Sequence, residues 1–158
     1  MTAQNTSRAR LARAIASGGF CGFSPLAPGT VASAVTLLPG ALLLHLAPAL
    51  LPAAALLAAL IGLWAIPAAN VAGDPGWVVI DEVAGQLVAL CGLAAIAPMG
   101  LLAAFLIFRV LDVVKPGPIG WADRQGGAAG IMADDIIAGG ITAGILWATE
   151  LRWPGLLH

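Results

Sequence analysis

Long uncharged stretches, separated by short polar segments, dominate the hydrophobic pattern of this chain. No Asp, Glu, Lys or Arg occurs in residues 14–73. A membrane-spanning helix needs about 20 apolar residues, so this stretch is long enough for two helices. Pro48 and Pro52 interrupt it, and proline ends helices because it removes a donor and clashes with the preceding turn. We therefore predict one helix over residues 31–46 and another over residues 52–69.

Two further uncharged runs follow, and neither has the alternating pattern of a strand. Residues 83–108 form the first run, which is interrupted at Pro98-Met99-Gly100, and residues 136–149 form the second. The second run follows Asp134-Asp135, which suit the cap and first turn of a helix. The pattern predicts an all-α fold, a multi-helix bundle that is an integral membrane protein with short helices.

Composition and charge exclude several classes of protein. The chain is 60% hydrophobic and 9% charged, with a net charge of −1 and a mean hydropathy of +0.97. These values exclude a disordered tail, a nucleic-acid binder and a disulfide-stapled small protein. The three N-terminal arginines predict a basic amphipathic segment over residues 1–18 at the membrane surface. Residues 19–158 then form a single helical membrane domain.

Three polar segments remain between the apolar helices, and the first is a loop that leads into a helix. It covers residues 22–33 and contains two prolines and two glycines. Thr30 or Ser33 begins the following helix, whose exposed backbone N–H groups could hold a phosphate. Taken alone, this segment is explained better by a loop that only caps the helix.

The second and third polar segments carry carboxylates and cations. Asp81 and Glu82 stand at the head of an apolar helix, while Arg109 and Asp112 follow a long apolar run. Ionisable residues at such depth are costly and usually mark function. Carboxylates and substrate phosphate are the usual ligands of Mg²⁺, and Arg and Lys suit phosphate oxygens. These residue types therefore indicate metal-assisted phosphoryl transfer.

Four motifs also point to a known family. In order, they are Pro-Leu-Ala-Pro-Gly-Thr at 25–30, Ile-Asp-Glu-Val-Ala-Gly-Gln at 80–86, Phe-Arg-Val-Leu-Asp-Val-Val-Lys-Pro at 108–116 and Gly-Ile-Met-Ala-Asp-Asp at 130–135. With these motifs the chain resembles the phosphatidylglycerophosphatase A family over residues 19–140. The resemblance implies a Mg²⁺-dependent phosphatase of bacterial membranes, which removes the terminal phosphate of phosphatidylglycerophosphate to give phosphatidylglycerol. Ala32 departs from the pattern, where glycine is expected.

The three polar segments can form one site only if they lie on the same side of the membrane. Residues 83–108 must then form a hairpin that turns at residues 98–100, because a single span would separate Asp112 from Asp81. Each arm of about 20 Å is shorter than the hydrocarbon core of about 30 Å. The hairpin is therefore buried in the bundle, re-entrant, or aided by local thinning. The N-terminal arginines predict a cytoplasmic N-terminus, and hence a site that faces the cytoplasm at the bacterial inner membrane.

Each candidate site residue is assigned a role. The predicted metal ligands are paired acids at helix starts, namely Asp81, Glu82, Asp134 and Asp135. The predicted catalytic residues are Arg109 and Lys115, which stabilise charge on the phosphate, and Asp112, which acts as a base or positions water, with a nucleophilic role as the alternative. The predicted substrate-binding residues are Thr30, Ser33 and, with a lower rank, Arg124.

Other functions and partners stay open from the sequence. A small membrane cation transporter or channel subunit would also use buried acids, although it would place them in the middle of helices. A phosphatase of the same fold could act on soluble phosphate esters. The expected partners are a phospholipid substrate and the membrane, with no nucleic acid. A small-xxx-small pattern at Gly140 and Gly144 is compatible with a homo-oligomer or with ordinary helix packing.

Overall fold

The computed structural model describes residues 3–71 and 73–157, and the described chain is all-helical without a strand. The α-helices are α1 (Ala3–Ala16), α2 (Pro28–Leu46), α3 (Leu51–Ala68), α4 (Ile80–Leu90), α5 (Pro98–Val114), α6 (Pro118–Asp123) and α7 (Gly127–Arg152). Single 3₁₀ turns lie at Cys21–Phe23 and Pro48–Leu50. The predicted fold class is confirmed. The predicted N-terminal segment and domain include residues 1, 2, 72 and 158, which lie outside the described residues.

The first two predicted helices are confirmed, since α2 and α3 follow the predicted ranges closely. Each has a proline in its first turn, Pro28 in α2 and Pro52 in α3, because its fixed φ suits the first turn and its missing N–H costs nothing there. The predicted hairpin over residues 83–108 is also present as α4 and α5. Its turn ends before Pro98, which is the first residue of α5 rather than part of the turn.

The predicted start of the last helix is wrong. We expected the helix to begin after Asp134-Asp135, but α7 begins at Gly127 and both aspartates are buried inside it. The positive φ of Gly126 and Gly127 marks the change of chain direction at which the helix starts. The Asp pair therefore does not cap α7, and its position inside the helix must serve another purpose.

Three segments are long and apolar enough to cross a membrane, by length and composition. They are Pro28–Leu46, Pro48–Ala68 and Gly127–Arg152. Large apolar side chains such as Leu38, Leu56 and Trp147 are exposed on their outer faces, as is typical of helices that contact lipid. The chain is a helical membrane protein.

Helix α4 lies at the centre of the bundle, in contact with α2, α3, α5 and α7. It crosses α7 closely, because Gly85 and Gly139 face each other and a Cβ added at Gly139 would collide with the Gly85 carbonyl. Small residues permit such close backbone approach between membrane helices. Asp81 lies one turn before Gly85, and Asp135 lies one turn before Gly139, so this crossing brings the two aspartates together.

Candidate active site

Three carboxylates from α4 and α7, of which Asp81 and Asp135 are buried and Glu82 is half-buried, form the centre of the candidate site. One oxygen each from Asp81, Glu82 and Asp135 lies within 4.8 Å of the other two. Asp81 Oδ1, Glu82 Oε2 and Asp135 Oδ1 have no hydrogen-bond partner among the described residues. Buried carboxylate oxygens without partners are costly. Hard oxygen ligands in such a group fit a divalent cation such as Mg²⁺.

Burial and neighbouring charges raise the pKa values of the two α4 carboxylates. Burial raises the pKa of Asp81 well above its usual value, and the adjacent Glu82 raises it further. Burial also raises the pKa of Glu82, against the lowering effect of nearby Arg109. Burial raises the pKa of Asp74, which lies in the loop before α4. A bound cation would stabilise the ionised form of these acids.

Arg109 joins the carboxylate group to the predicted base. It lies on α5 and forms an ion pair with Asp112, one turn further along the helix, and its Nη1 lies 3.9 Å from Glu82 Oε1. All three side chains are largely buried. Arg109 Nε has no partner among the described residues, so the guanidinium retains a donor for a further anion.

Lys115 is held at the end of α5 in an unusual backbone conformation. Its φ is 50°, in the left-handed region that favours glycine. Its ammonium group pairs with Asp134 and lies 2.9 Å from Asp123 Oδ1. Burial alone would lower the pKa of Lys115, but these hydrogen bonds outweigh burial and raise it. A lysine at a glycine-favouring position, fixed by two acids, indicates that the charge is needed there.

Asp134 is placed differently from the other predicted metal ligands. Its Oδ2 pairs with Lys115, and its Oδ1 accepts a hydrogen bond of 2.9 Å from the Asp135 backbone N–H. Both oxygens are therefore engaged within the protein. Asp134 positions Lys115, whereas Asp81, Glu82 and Asp135 form the three-carboxylate group.

These side chains surround one open cavity of about 240 Å³. The charged residues that line it are Asp74, Asp81, Glu82, Arg109, Asp112, Lys115, Asp134 and Asp135. All seven residues predicted as catalytic or metal-binding thus meet in one place, with acids and cations facing the same space. Asp74 was missed as a site residue, because its loop contains Pro75 and Gly76 and its path depends on the tertiary fold. The only signal in the sequence that could have identified Asp74 was its charge, in a chain with few charged residues.

The predicted substrate-binding residues do not line this cavity. Ser33 is fully buried, and its hydroxyl donates a hydrogen bond of 2.8 Å to the Gly29 carbonyl of its own helix. Thr30 is half-buried in the first turn of α2, and Arg124 is exposed beyond α6. Their role in binding substrate stays a prediction. From the same segment, Gly29 instead reaches the site, because a Cβ there would collide with the Glu82 carboxylate.

The fold and the cavity define a helical membrane protein whose site suits a metal ion and an anionic group. The sequence model described as "Phosphatidylglycerophosphatase A" matches residues 14–150. The chain therefore belongs to the phosphatidylglycerophosphatase A family, and it is a phosphatase.

Individual relatives agree with this assignment. The Phosphatidylglycerophosphatase A of Escherichia coli K12 is 38% identical over 144 residues, which cover 89% of this chain and 84% of the relative. A Bacteroides thetaiotaomicron protein, named as a candidate phosphatidylinositol-3-phosphatase, is 35% identical over 79% of this chain and 84% of its own length. The Haemophilus influenzae Phosphatidylglycerophosphatase A is 38% identical over 41% of this chain and 40% of its own length. No solved structure matches the chain at a significant level.

Proposed function

We propose that this chain hydrolyses phosphatidylglycerophosphate to phosphatidylglycerol and inorganic phosphate, in a reaction that depends on Mg²⁺. One observation carries the proposal: three carboxylates with buried, unpartnered oxygens share a cavity with Arg109 and Lys115. Carboxylates alone would repel a phosphate monoester, and cations alone would not explain three carboxylates that each keep an unpartnered oxygen. A metal ion and a phosphate together satisfy both sets of groups.

The three-carboxylate group of Asp81, Glu82 and Asp135 would hold the Mg²⁺ ion. Asp74 lines the same cavity and could bind a water molecule of the ion, since Mg²⁺ usually keeps several waters. When bound, Mg²⁺ supplies positive charge that stabilises phosphate oxygens and favours ionisation of a water molecule.

The side chains of the chain orient the phosphate and the attacking water. Arg109 and Lys115 bind the non-bridging phosphate oxygens, whose negative charge they stabilise in the transition state. Asp112 accepts a proton from the attacking water, whose oxygen forms the new bond to phosphorus. The bond from phosphorus to the glycerol oxygen breaks, and that oxygen takes a proton from a water molecule of the open cavity to become the hydroxyl of the product lipid. Direct attack by Asp112 on phosphorus is the alternative.

We also propose that the protein resides in the bacterial inner membrane with its site towards the cytoplasm. The Val79 N–H donates a hydrogen bond of 2.9 Å to the Ala16 carbonyl, so the arginine-bearing helix α1 ends close to the start of α4. The positive-inside rule places such arginines in the cytoplasm. Access of a membrane-impermeant thiol reagent to an introduced cysteine at Gly76 in inverted vesicles, but not in right-side-out vesicles, would agree with this orientation.

The relatives give two headgroups to compare. The E. coli relative is named for phosphatidylglycerophosphate and the Bacteroides relative for a phosphoinositide. The buried position of Asp134 and Asp135 inside α7 is the placement expected of a cation transporter, but the family assignment makes the chain a phosphatase. A soluble phosphate ester remains a competing substrate class for the same cavity.

The test is phosphate release by the purified protein in detergent micelles, with Mg²⁺ or with EDTA. The substrates are phosphatidylglycerophosphate, phosphatidylinositol 3-phosphate and soluble glycerol 3-phosphate. We expect Mg²⁺-dependent release that is fastest with phosphatidylglycerophosphate. Faster release from the phosphoinositide or from glycerol 3-phosphate would contradict the proposed substrate, and no release from any of them would contradict the proposed reaction.

A further inference from the structure

A second cavity with a basic lining lies outside the acidic site. It has a volume of about 480 Å³ and lies between α1 and the end of α3. Arg8, Arg10 and Arg13 line one side, and residues 67–70 line the other. Among the described residues, no Asp or Glu contributes to the lining. The side chains of the three arginines form no ion pair and donate no hydrogen bond within the described part of the chain.

Two of the arginines are held over aromatic rings. The Arg8 guanidinium lies 5.9 Å from the centre of the Trp64 ring, and that of Arg13 lies 4.9 Å from the centre of the Trp77 ring. Cation–π contacts fix the direction of a guanidinium without neutralising its charge. The cavity therefore presents positive charge in a defined arrangement, with donors free for an anion.

The position of this cavity suits the membrane surface beside the acidic site. Gly62 of α3 packs against Ile80, the neighbour of Asp81. Pro67 and Ala68 lie five and six positions further along α3, which is about 8–9 Å at 1.5 Å per residue. Exposed Trp64, Leu11 and Phe20 surround the same end of the bundle. Aromatic and apolar side chains of this kind mark the interface between lipid tails and headgroups.

We propose that this arginine cavity binds the phosphodiester headgroup of an anionic membrane phospholipid. Arginine suits phosphate because its planar fork of donors matches the oxygens. The apolar lining of Pro67, Ala68 and Ala69 suits the glycerol and the upper acyl chain. The surrounding apolar side chains favour a lipid over free phosphate. The bound lipid would anchor α1 next to the mouth of the active site, and this inference does not depend on the hydrolytic reaction.

The test measures binding of a phosphatidylglycerol with a fluorescent acyl chain to the detergent-solubilised protein, by fluorescence anisotropy. The main variant is the double substitution Arg8→Gln and Arg10→Gln. Arg10→Gln alone is the milder variant, because Arg10 makes no ring contact within the described residues. Arg152→Gln is the matched control. Arg152 is also exposed and lies over a tryptophan, but it stands at the C-terminal end of α7.

We expect affinity to fall about fivefold for each arginine removed, the effect typical of one basic residue at an anionic membrane surface. Arg152→Gln and the active-site variant Arg109→Ala should retain this binding. Retention by Arg109→Ala separates the arginine cavity from product binding in the active site. Equal binding by Arg10→Gln and the parent, or equal binding of a labelled phosphatidylcholine, would overturn the proposal. Displacement by inorganic phosphate as effective as that by unlabelled phosphatidylglycerol would also overturn it.

Discussion

At the scale of single residues, Gly29 shows how closely the first polar segment approaches the site. A Cβ at this position would collide with the Glu82 carboxylate and lie 3.2 Å from Arg109 Nη1. The colliding atoms lie at the end of the flexible Glu82 side chain, so an alanine can be accommodated if that carboxylate moves. Only glycine leaves Glu82 and Arg109 where the structure places them.

We therefore expect Gly29→Ala to reduce kcat on the order of 10²-fold, the effect of displacing a positioned group by about 1 Å. Its melting temperature should stay close to that of the parent. Gly144→Ala is the matched control, because a Cβ there meets nothing within 4 Å among the described residues. A Gly29→Ala enzyme with parental kcat would show that Glu82 is not needed where the structure places it.

Arg109 carries the clearest catalytic prediction at this scale. Arg109→Ala removes one fixed positive charge from the phosphate and should reduce kcat by 10²–10³-fold, or about 2.7–4 kcal/mol in the barrier. Added Mg²⁺ should not restore the rate, because the proposed metal ligands remain in place. Steady-state kinetics across a range of Mg²⁺ concentrations check both points, with Arg152→Ala as the control. Recovery at high Mg²⁺ would instead mean that Arg109 acts by positioning the Glu82 carboxylate.

At the scale of elements, the crossing of α4 and α7 assembles the carboxylate group. A Cβ at Gly85 would lie 2.6 Å from the Asp135 carbonyl and 2.7 Å from Phe108 Cε2. The backbone carbonyl of Asp135 cannot move aside as the end of a side chain can, so Gly85→Ala must push the helices apart. Overpacking of this kind costs about 1–3 kcal/mol.

Gly85→Ala should therefore lower the melting temperature in detergent and also lower activity, unlike Gly29→Ala. Thermal unfolding followed by circular dichroism measures the first effect, and phosphate release measures the second. Gly144→Ala again provides the comparison, in a helix position with open space. An unchanged melting temperature for Gly85→Ala would mean that the two helices are not in close contact.

Helix positions and the hairpin could be predicted from sequence because proline and uncharged length mark them directly. The hairpin followed from requiring Asp81 and Asp112 to share one side of the membrane. The start of α7 could not be predicted, because charged Asp134 and Asp135 resemble a helix start in sequence. Only the crossing with α4 shows that a buried site inside α7 accommodates them.

The same limit applies to the site residues. The chemical types of the site residues predicted which of them lie in one cavity, but not which acid pairs with which cation. The pairing of Lys115 with Asp134, and the resulting separation of Asp134 from the three-carboxylate group, depends on the left-handed turn at Lys115. The position of Asp74 depends on the fold of the loop before α4.

At the scale of the whole molecule, buried acids should make the stability of the metal-free protein depend on pH. The pKa values of Asp81 and Glu82 are raised in the folded state from ordinary values of 3.8 and 4.5. The folded state therefore binds more protons than the unfolded state above these values, and stability falls as pH rises. In EDTA, the melting temperature should be lower at pH 8 than at pH 5.

Mg²⁺ should reverse this trend, because it binds the ionised carboxylates and stabilises only the folded state. The increase in melting temperature on adding Mg²⁺ should be larger at pH 8 than at pH 5. Thermal unfolding at both values, with and without Mg²⁺, provides the measurement. A melting temperature in EDTA that rises with pH would contradict the assignment of uncompensated buried acids.

The central claim is that Asp81, Glu82 and Asp135 hold the metal ion that the phosphatase needs. The most direct test measures phosphate release from phosphatidylglycerophosphate against Mg²⁺ concentration in three proteins. They are the parent, Asp135→Asn and the control Glu150→Gln, whose acid lies near the C-terminal end of α7. We expect no turnover in EDTA, and a shift of the Asp135→Asn curve to about 10–100-fold higher Mg²⁺, the scale of disturbing a metal site. The Glu150→Gln curve should match the parent. Full turnover of the parent in excess EDTA, or superimposable parent and Asp135→Asn curves, would contradict the account.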